Sequence, residues 1–352
     1  MPRWFTSAKG GKQWKRMQCS VRLYTKLSPW PPKQVLVVQK ISRLDFERKK
    51  HPHLSPEALK DKLIRQGTKY ESLESRRQVH RESLKQIEAH LKSQNVDVRM
   101  RESHKETLTH EDIEWADLVV AAGGDGNYLR TASMIHTSDK LMVGINTDPC
   151  SKAHSISHLL NAVFSGGVRL FHRHRVRAVW EGGQRHTLAL NEVLVGEKDP
   201  AQSSYYDLVV DSNSAERQKS SGVLVYTGTG STSCLARVNS IMAIARGKGS
   251  SFPPDVQLDA FVREVTDAYN RTNVFSGEDP CMAFTVREPV TTGIFAAKTT
   301  HGFARKLLIH TFSWQNGLMV DGHLRYRLHN GSVVEFSVQP EDALLTAEIL
   351  ET

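Results

Sequence analysis

One stretch constrains this chain more than any other: DLVVAAGGDGNYLRT, residues 117–131. Leu118 to Ala122 form a short continuous apolar run, the pattern of a strand covered on both faces. Two glycines, a lone carboxylate and a third glycine follow, and Leu129, Ala132 and Ile135 then fall on one helix face. A strand that runs through glycines into a helix presents main-chain N–H groups and the positive end of a dipole to an anion. A carboxylate placed there repels a phosphate unless it accepts a proton or meets a cation. Asp125 is therefore the candidate general base, taking the proton of a hydroxyl that attacks a phosphoryl group. Standing alone, the same four residues also make an ordinary tight turn.

The flanks place this corner in a fold. From Lys33 to about Pro149, strand-like KQVLVVQK, VDVRM, DLVVAA and KLMVGIN alternate with helical segments. Ser55-Pro56 opens a helix whose face carries Leu59 and Leu63 and which stops at Gly67. Leu84, Ile87 and Leu91 stripe a charged helix over 71–93, and Thr109 with Asp112 forms a capping box. This is the βαβ logic of an open, doubly wound, mostly parallel sheet, whose ligands sit beyond the carboxyl ends of the strands. After about residue 165 short strands dominate, with a hairpin expected at Asn330-Gly331 and partly helical texture over 234–270. The expected organisation is a basic leader (1–32), an α/β domain (33–160), a β-rich domain (161–340) and a C-terminal segment (341–352) packing back on the first domain.

Charge separates the leader from the rest. The chain has 352 residues, 47 Lys and Arg, 38 Asp and Glu and a formal charge of +9. Ten basic residues precede Asp45, the first acid, which leaves 37 against 38 in a body near neutrality. That distribution argues against nucleic-acid binding and against an anionic-membrane surface. The first 28 residues are basic, hydroxylated and free of acids, the composition of a mitochondrial presequence. No apolar run spans a bilayer, so no stable membrane insertion is expected. Cys19, Cys150, Cys234 and Cys281 lack paired spacing and suit a reducing interior.

Two further constellations carry polar chemistry. Asn191-Glu192 ends a strand-like segment and offers donors and acceptors suited to a ribose diol or purine edge, although such a pair is common on surfaces. Tyr226-Thr-Gly-Thr-Gly-Ser-Thr-Ser-Cys234 leads a strand into glycines and hydroxyls, which line a polar pocket or cap the next helix. His172 and His174 in FHRHRVR stand at the spacing of a metal pair, but no third ligand accompanies them and a solvated strand face is expected. Trp180 and Trp314 read as packing residues.

Taken together, Gly-Gly-Asp-Gly at 123–126, Gly-Ile-Asn at 144–146, Leu-Asn-Glu-Val at 190–193 and Thr-Gly-Thr-Gly-Ser-Thr-Ser at 227–233 stand in the order and approximate spacing of NAD kinases. The chain after about Lys33 resembles that family. SSYYDLVVD before QKSSG, the long helical stretch before Gly123 and the basic leader are most similar to its mitochondrial branch. Gly-Gly-Asp-Gly alone is shared with phosphofructokinases and with diacylglycerol and sphingosine kinases. The resemblance implies an α/β domain and a β-rich domain holding a dinucleotide between them, in a homodimer or larger oligomer of the mitochondrial matrix. It implies transfer of the terminal phosphoryl group of ATP, with Mg²⁺, to the adenosine-ribose 2′-hydroxyl of NAD to give NADP, polyphosphate being an alternative donor.

Residue by residue, the resemblance implies Asp125 as base and Gly123, Gly124, Gly126 and Asn127 facing phosphate. Asn146 faces the same cleft, Asn191 and Glu192 contact the adenosine half, and Thr229, Gly230, Thr232 and Ser233 surround adenine or line the dinucleotide site. No protein-bound metal ligand is assigned. The chain departs from the family at several positions. Asn127 replaces a threonine, and Ser221-Gly222 replaces an Asp-Gly, removing a carboxylate expected toward the nicotinamide end. Cys234 replaces an aromatic residue. Thr147-Asp148-Pro149-Cys150 replaces Gly-Leu-Gly-Phe, where Asp148 makes an Asx-Pro turn or meets Mg²⁺. Alternatives of other classes are a lipid kinase of the same superfamily and a noncatalytic NAD sensor.

Overall fold

The computed structural model describes residues 31–103, 107–148, 156–199, 201–231, 274–292, 295 and 297–349. The alternating half of the chain gives β1 (Gln34–Gln39), α1 (Arg43–Lys50), α2 (Pro56–Arg65), α3 (Tyr70–Ser93), β2 (Asp97–Glu102), α4 (His110–Trp115), β3 (Leu118–Ala122), α5 (Asp125–Ala132), β4 (Leu141–Ile145) and α6 (Ile156–Ser165). Ser55 Oγ accepts the Ala58 N–H at 3.2 Å, and Thr109 and Asp112 close a reciprocal capping box on α4. Helix α1 has no apolar stripe to reveal it; the Ser42 hydroxyl, accepting from Asp45 N–H, sets its start.

Strands β1 to β4 run parallel, and β1 shows why each reads as a continuous apolar run. Val35 and Val37 pack with Ile87 and Leu91 of α3 and Leu160 and Val163 of α6, while Leu36 and Val38 pack with Ile113 of α4 and Ala132 of α5. Successive side chains point to opposite faces, and helices cover both.

The rest of the chain supplies β5 (Val168–Arg173), β6 (Val176–Trp180), β7 (Arg185–Ala189), β8 (Glu192–Glu197), β9 (Ser204–Val210), β10 (Glu216–Ser220), β11 (Gly222–Tyr226), β12 (Met282–Arg287), β13 (His301–Ala304), β14 (Lys306–Thr311), β15 (Asn316–Val320), β16 (Leu324–Arg327), β17 (Val333–Val338) and β18 (Leu344–Ile349). Strand β18 returns to the first sheet, parallel to β4 and antiparallel to β5, giving the order β2-β1-β3-β4-β18-β5. Thus β5, inside the 161–340 segment, is hydrogen-bonded into the parallel sheet rather than the β-rich layers.

Those layers are two antiparallel sheets, β10-β9-β14-β17-β6-β7 and β13-β12-β11-β8-β15-β16. Val176, Trp180, Leu307 and Phe336 from one share a core with Val193, Val225, Phe284 and Leu318 from the other, so the sheets pack face to face. Asn330-Gly331 does not make the expected hairpin. Strand β16 pairs with β15 and β17 with β14 and β6, so the turn carries the chain from one sheet to the other. The local turn signal is real, but each flank finds its ladder partner within its own sheet. Trp180 is buried, whereas Trp314 is 82% exposed and packs nothing comparable. No helix among the described residues is long and apolar enough to cross a membrane.

Candidate active site

Three strand ends meet at the carboxyl edge of the parallel sheet. Lys40 N–H donates to Ala122 O at 3.0 Å and Gly123 N–H to Ile145 O at 2.9 Å, which gathers the exits of β1, β3 and β4. Gly123 admits no side chain: a Cβ would stand 2.7 Å from Asn127 Cβ and 3.0 Å from Lys40 Cβ. Gly124 is the N-cap of α5 and supplies no side-chain acceptor, so the first N–H groups of the helix remain available to an anion. Asp125 and Gly126 are exposed, and a Cβ on Gly126 would meet nothing within 4 Å. Here the backbone donors, the helix end and one carboxylate share an open surface.

Asn127 departs from its expected place at the phosphate. It is buried, and its Nδ2 donates to Val38 O at 2.9 Å, tying α5 to β1. The helix starts directly against the sheet, which brings the short amide within reach of a strand carbonyl. Asn146 is exposed at the same edge, and its Oδ1 accepts Asp148 N–H at 2.9 Å. Asp148 accepts from Lys40 Nζ at 2.6 Å, and its Oδ2 lies 3.3 Å from the Cβ position of Gly124. This Asx turn belongs to Asn146, while the one expected at Asp148 falls on residues 149 and 150, outside the described residues; the Asn146 turn lays the Asp148 carboxylate over the glycine corner, a hard oxygen donor of the kind Mg²⁺ takes.

The second wall comes from β8 and β11. Tyr226 pairs with Glu192, so the loop after β11 runs beside Asn191. Thr227 N–H donates to Asn191 O at 2.9 Å, and Gly230 N–H donates to Thr227 Oγ1 at 3.1 Å, closing the threonine-glycine turn on itself. A Cβ on Gly230 would fall 2.3 Å from Asn191 O, so only glycine fits. From the other side, the Asp321 carboxylate accepts the N–H groups of Leu190 at 2.9 Å, Asn191 at 2.8 Å and Glu192 at 3.0 Å. Burial pushes the Asp321 carboxyl above its ordinary range, and the three donors oppose that rise. Sequence reasoning missed Asp321, whose Asp-Gly context signals only a turn. Thr232, Ser233 and Cys234 lie outside the described residues. Ser221 directly precedes β11, about 20 Å of extended chain from Thr227, so its departure leaves the threonine turn intact.

Two arginines from FHRHRVR join the walls. Arg173 Nη1 donates to Thr229 Oγ1 at 3.4 Å, and the guanidinium lies 4.9 Å from the Phe171 ring, near enough to Tyr128 of α5 for its charge to act on the hydroxyl. Burial raises the Tyr128 hydroxyl, and Arg173 partly counters it. Arg175 is 1% exposed; its Nη1 donates to Ala132 O, the last carbonyl of α5, at 3.2 Å and to Ile135 O just beyond the helix at 2.6 Å, and its Nε donates to Asp342 O. Burial lowers Arg175 to about 10. His172, expected on a solvated face, is half-buried with Nε2 3.1 Å from Ser138 O. The β5 end is thus an internal seam, which alternating basic residues in one sequence do not reveal.

No family model matches the chain. It is 30% identical over 375 residues to the Homo sapiens protein named "NAD kinase 2, mitochondrial", covering 90% of this chain and 84% of that protein. Its fold is similar to that of yeast NADH kinase complexed with NADH, with a TM-score of 0.57, 15% identity and coverage of 91% and 84% of the two chains. It is also similar to an NAD kinase from Archaeoglobus fulgidus in complex with ATP, with a TM-score of 0.53, 18% identity and coverage of 90% and 94%. At such identities the two structures show likeness of fold alone.

Proposed function

The chain belongs to the NAD kinase family, and from that premise we infer that it transfers the terminal phosphoryl group of a nucleoside triphosphate to the adenosine-ribose 2′-hydroxyl of NAD, giving NADP. The observation that carries this reading is the exposed Asp125 in the first turn of α5, beside a glycine corner with open space at Gly126. The 2′-oxygen forms a bond to the terminal phosphorus while the bond from that phosphorus to the bridging oxygen breaks. The electron pair leaves with the nucleoside diphosphate, and the hydroxyl proton passes to Asp125.

The N–H groups opening α5 orient the terminal phosphate as Gly123, Gly124 and Gly126 let it approach. Asp148 would offer a carboxylate to the Mg²⁺ that accompanies the triphosphate, which would supply charge neutralisation there. Asn146 borders the cleft. Asn191 and Glu192 meet the adenosine half, with Asp321 fixing their backbone, while Thr229 and Gly230, continued by Thr232 and Ser233, line the dinucleotide pocket. Asn127 positions α5 instead of touching phosphate. The mitochondrial name of the relative and the acid-free leader support a place in the mitochondrial matrix, and the family resemblance supports a homodimer.

The test is incubation of the full chain with NAD, ATP and Mg²⁺, with polyphosphate as a second donor and diacylglycerol and sphingosine as control acceptors. NADP formation without lipid phosphorylation is expected. Lipid phosphorylation alone would transfer the chain to the lipid kinases. NAD binding without NADP from either donor would make it a sensor.

A further inference from the structure

We propose that Lys40 binds the transferred phosphoryl group, and that Asp148 and His80 are the positioning residues that hold it there; the inference rests on the kinase reading above. Lys40 is the first residue beyond β1, and its placement is specified at four points. Its N–H donates to Ala122 O at 3.0 Å, its carbonyl lies 3.1 Å from His80 Nε2, its Cβ abuts Gly123, and its Nζ donates to Asp148 Oδ1 at 2.6 Å. Every one of these contacts leads to the glycine corner or to the strand exits around it.

His80 explains how both members of the pair are held. It projects from the middle of α3, is 3% exposed, and has Nδ1 2.9 Å from Thr147 Oγ1. With Nε2 donating to the Lys40 carbonyl, Nδ1 is left to accept from the Thr147 hydroxyl. One neutral ring thereby locks the exit of β1, which carries Lys40, to the exit of β4, which carries Asp148 one residue past Thr147. The Lys40 and Asp148 side chains are 22% and 44% exposed, and an ion pair that open to solvent contributes little to stability. The strength of the ion pair therefore does not account for its alignment by a buried histidine.

Phosphate chemistry does account for it. An ammonium has three N–H donors, so Lys40 can keep Asp148 and still meet a phosphate oxygen. Asp148 stands against Gly124, at the N-terminus of α5, where its charge holds the lysine beside the place an incoming terminal phosphate reaches the first helix N–H groups. The lysine acts as a point charge on the phosphoryl oxygens, next to the base but on the donor's side of the reaction.

The experiment uses the full chain and the variants Lys40→Ala, Lys40→Arg and Asp148→Asn, with rates measured against ATP at saturating NAD and against NAD at saturating ATP. Thermal melting and calorimetric titration with Mg·ATP accompany each. Lys40→Ala is expected to lower kcat/KM for ATP by about 10- to 100-fold while the KM for NAD stays within about twofold. Lys40→Arg recovers part of the loss. Asp148→Asn loses less than Lys40→Ala, with melting unchanged. An unaltered kcat/KM for ATP in Lys40→Ala overturns the proposal, as does a loss that tracks melting and that Lys40→Arg fails to relieve. If the parent itself makes no NADP, the kinase reading fails, and Mg·ATP binding decides separately: weaker binding by Lys40→Ala sustains the role of Lys40, and equal binding ends it.

Discussion

Single residues at this site do their work through short distances, and Gly230 is the clearest case. A methyl group there meets backbone, not a flexible side chain, because Asn191 O would lie 2.3 Å away. Gly230→Ala must push the threonine turn away from the Asn-Glu segment, at a cost of about 1–3 kcal/mol. The expected result is a KM for NAD raised at least about tenfold with a smaller change in KM for ATP, read from initial rates. His80 makes a different prediction. Burial, and then the nearby Lys40 charge, hold its pKa below the ordinary 6.5. The unfolded chain then binds more protons than the folded one, so the stabilising contribution is complete above pH 6.5 and is lost as pH falls toward the folded pKa. Urea midpoints at pH 7.5, 6.5 and 5.5 should fall in that order, and His80→Gln should flatten the trend. Parallel trends in parent and variant would contradict the assignment.

At the scale of elements, legibility followed how much of each element's cause was local. The strand-corner-helix at β3 and α5 was readable because apolar run, glycines and helix face are contiguous, and the α2 and α4 caps were readable because their partners are three residues apart. The inward turn of Asn127 was not, since it depends on the Val38 carbonyl 89 residues away. Asn330-Gly331 misled for the same reason: its flanks are claimed by β15 on one side and by β14 and β6 on the other. Strand β18 is the most remote case, an end of the chain inserted between β4 and β5. Leu345 there is 2% exposed and shares a core with Leu118, Leu141 and Leu160. Leu345→Ala should destabilise the protein by about 2–5 kcal/mol in urea unfolding. A change below about 0.5 kcal/mol would mean that β18 is not part of the cooperative unit.

The whole molecule is an α/β layer and a β-sandwich sewn together by the β5–β6 corner and by β18. Arg173 reaches Thr229 while lying near Tyr128, and Arg175 holds the end of α5 while binding Asp342, so α5, which carries Asp125, and the loop after β11 are held in one frame. Motifs far apart in sequence thereby converge on α5: the glycine corner at its N-terminus, on the sheet's carboxyl edge that a doubly wound topology reserves for ligands, and the threonine turn and Asn-Glu segment through the β5 arginines and the Asp321 loop nearer its C-terminus. The family signature pointed to the convergence; the arginines and Asp321 that create it carry no signature of their own. The central claim is that Asp125 takes the proton within this frame. Its most direct test is single-turnover formation of NADP by Asp125→Asn beside the parent, with NAD affinity measured on the same samples. The account predicts unchanged NAD binding and a rate lowered by about 10²- to 10⁴-fold; undiminished turnover in the variant would contradict it.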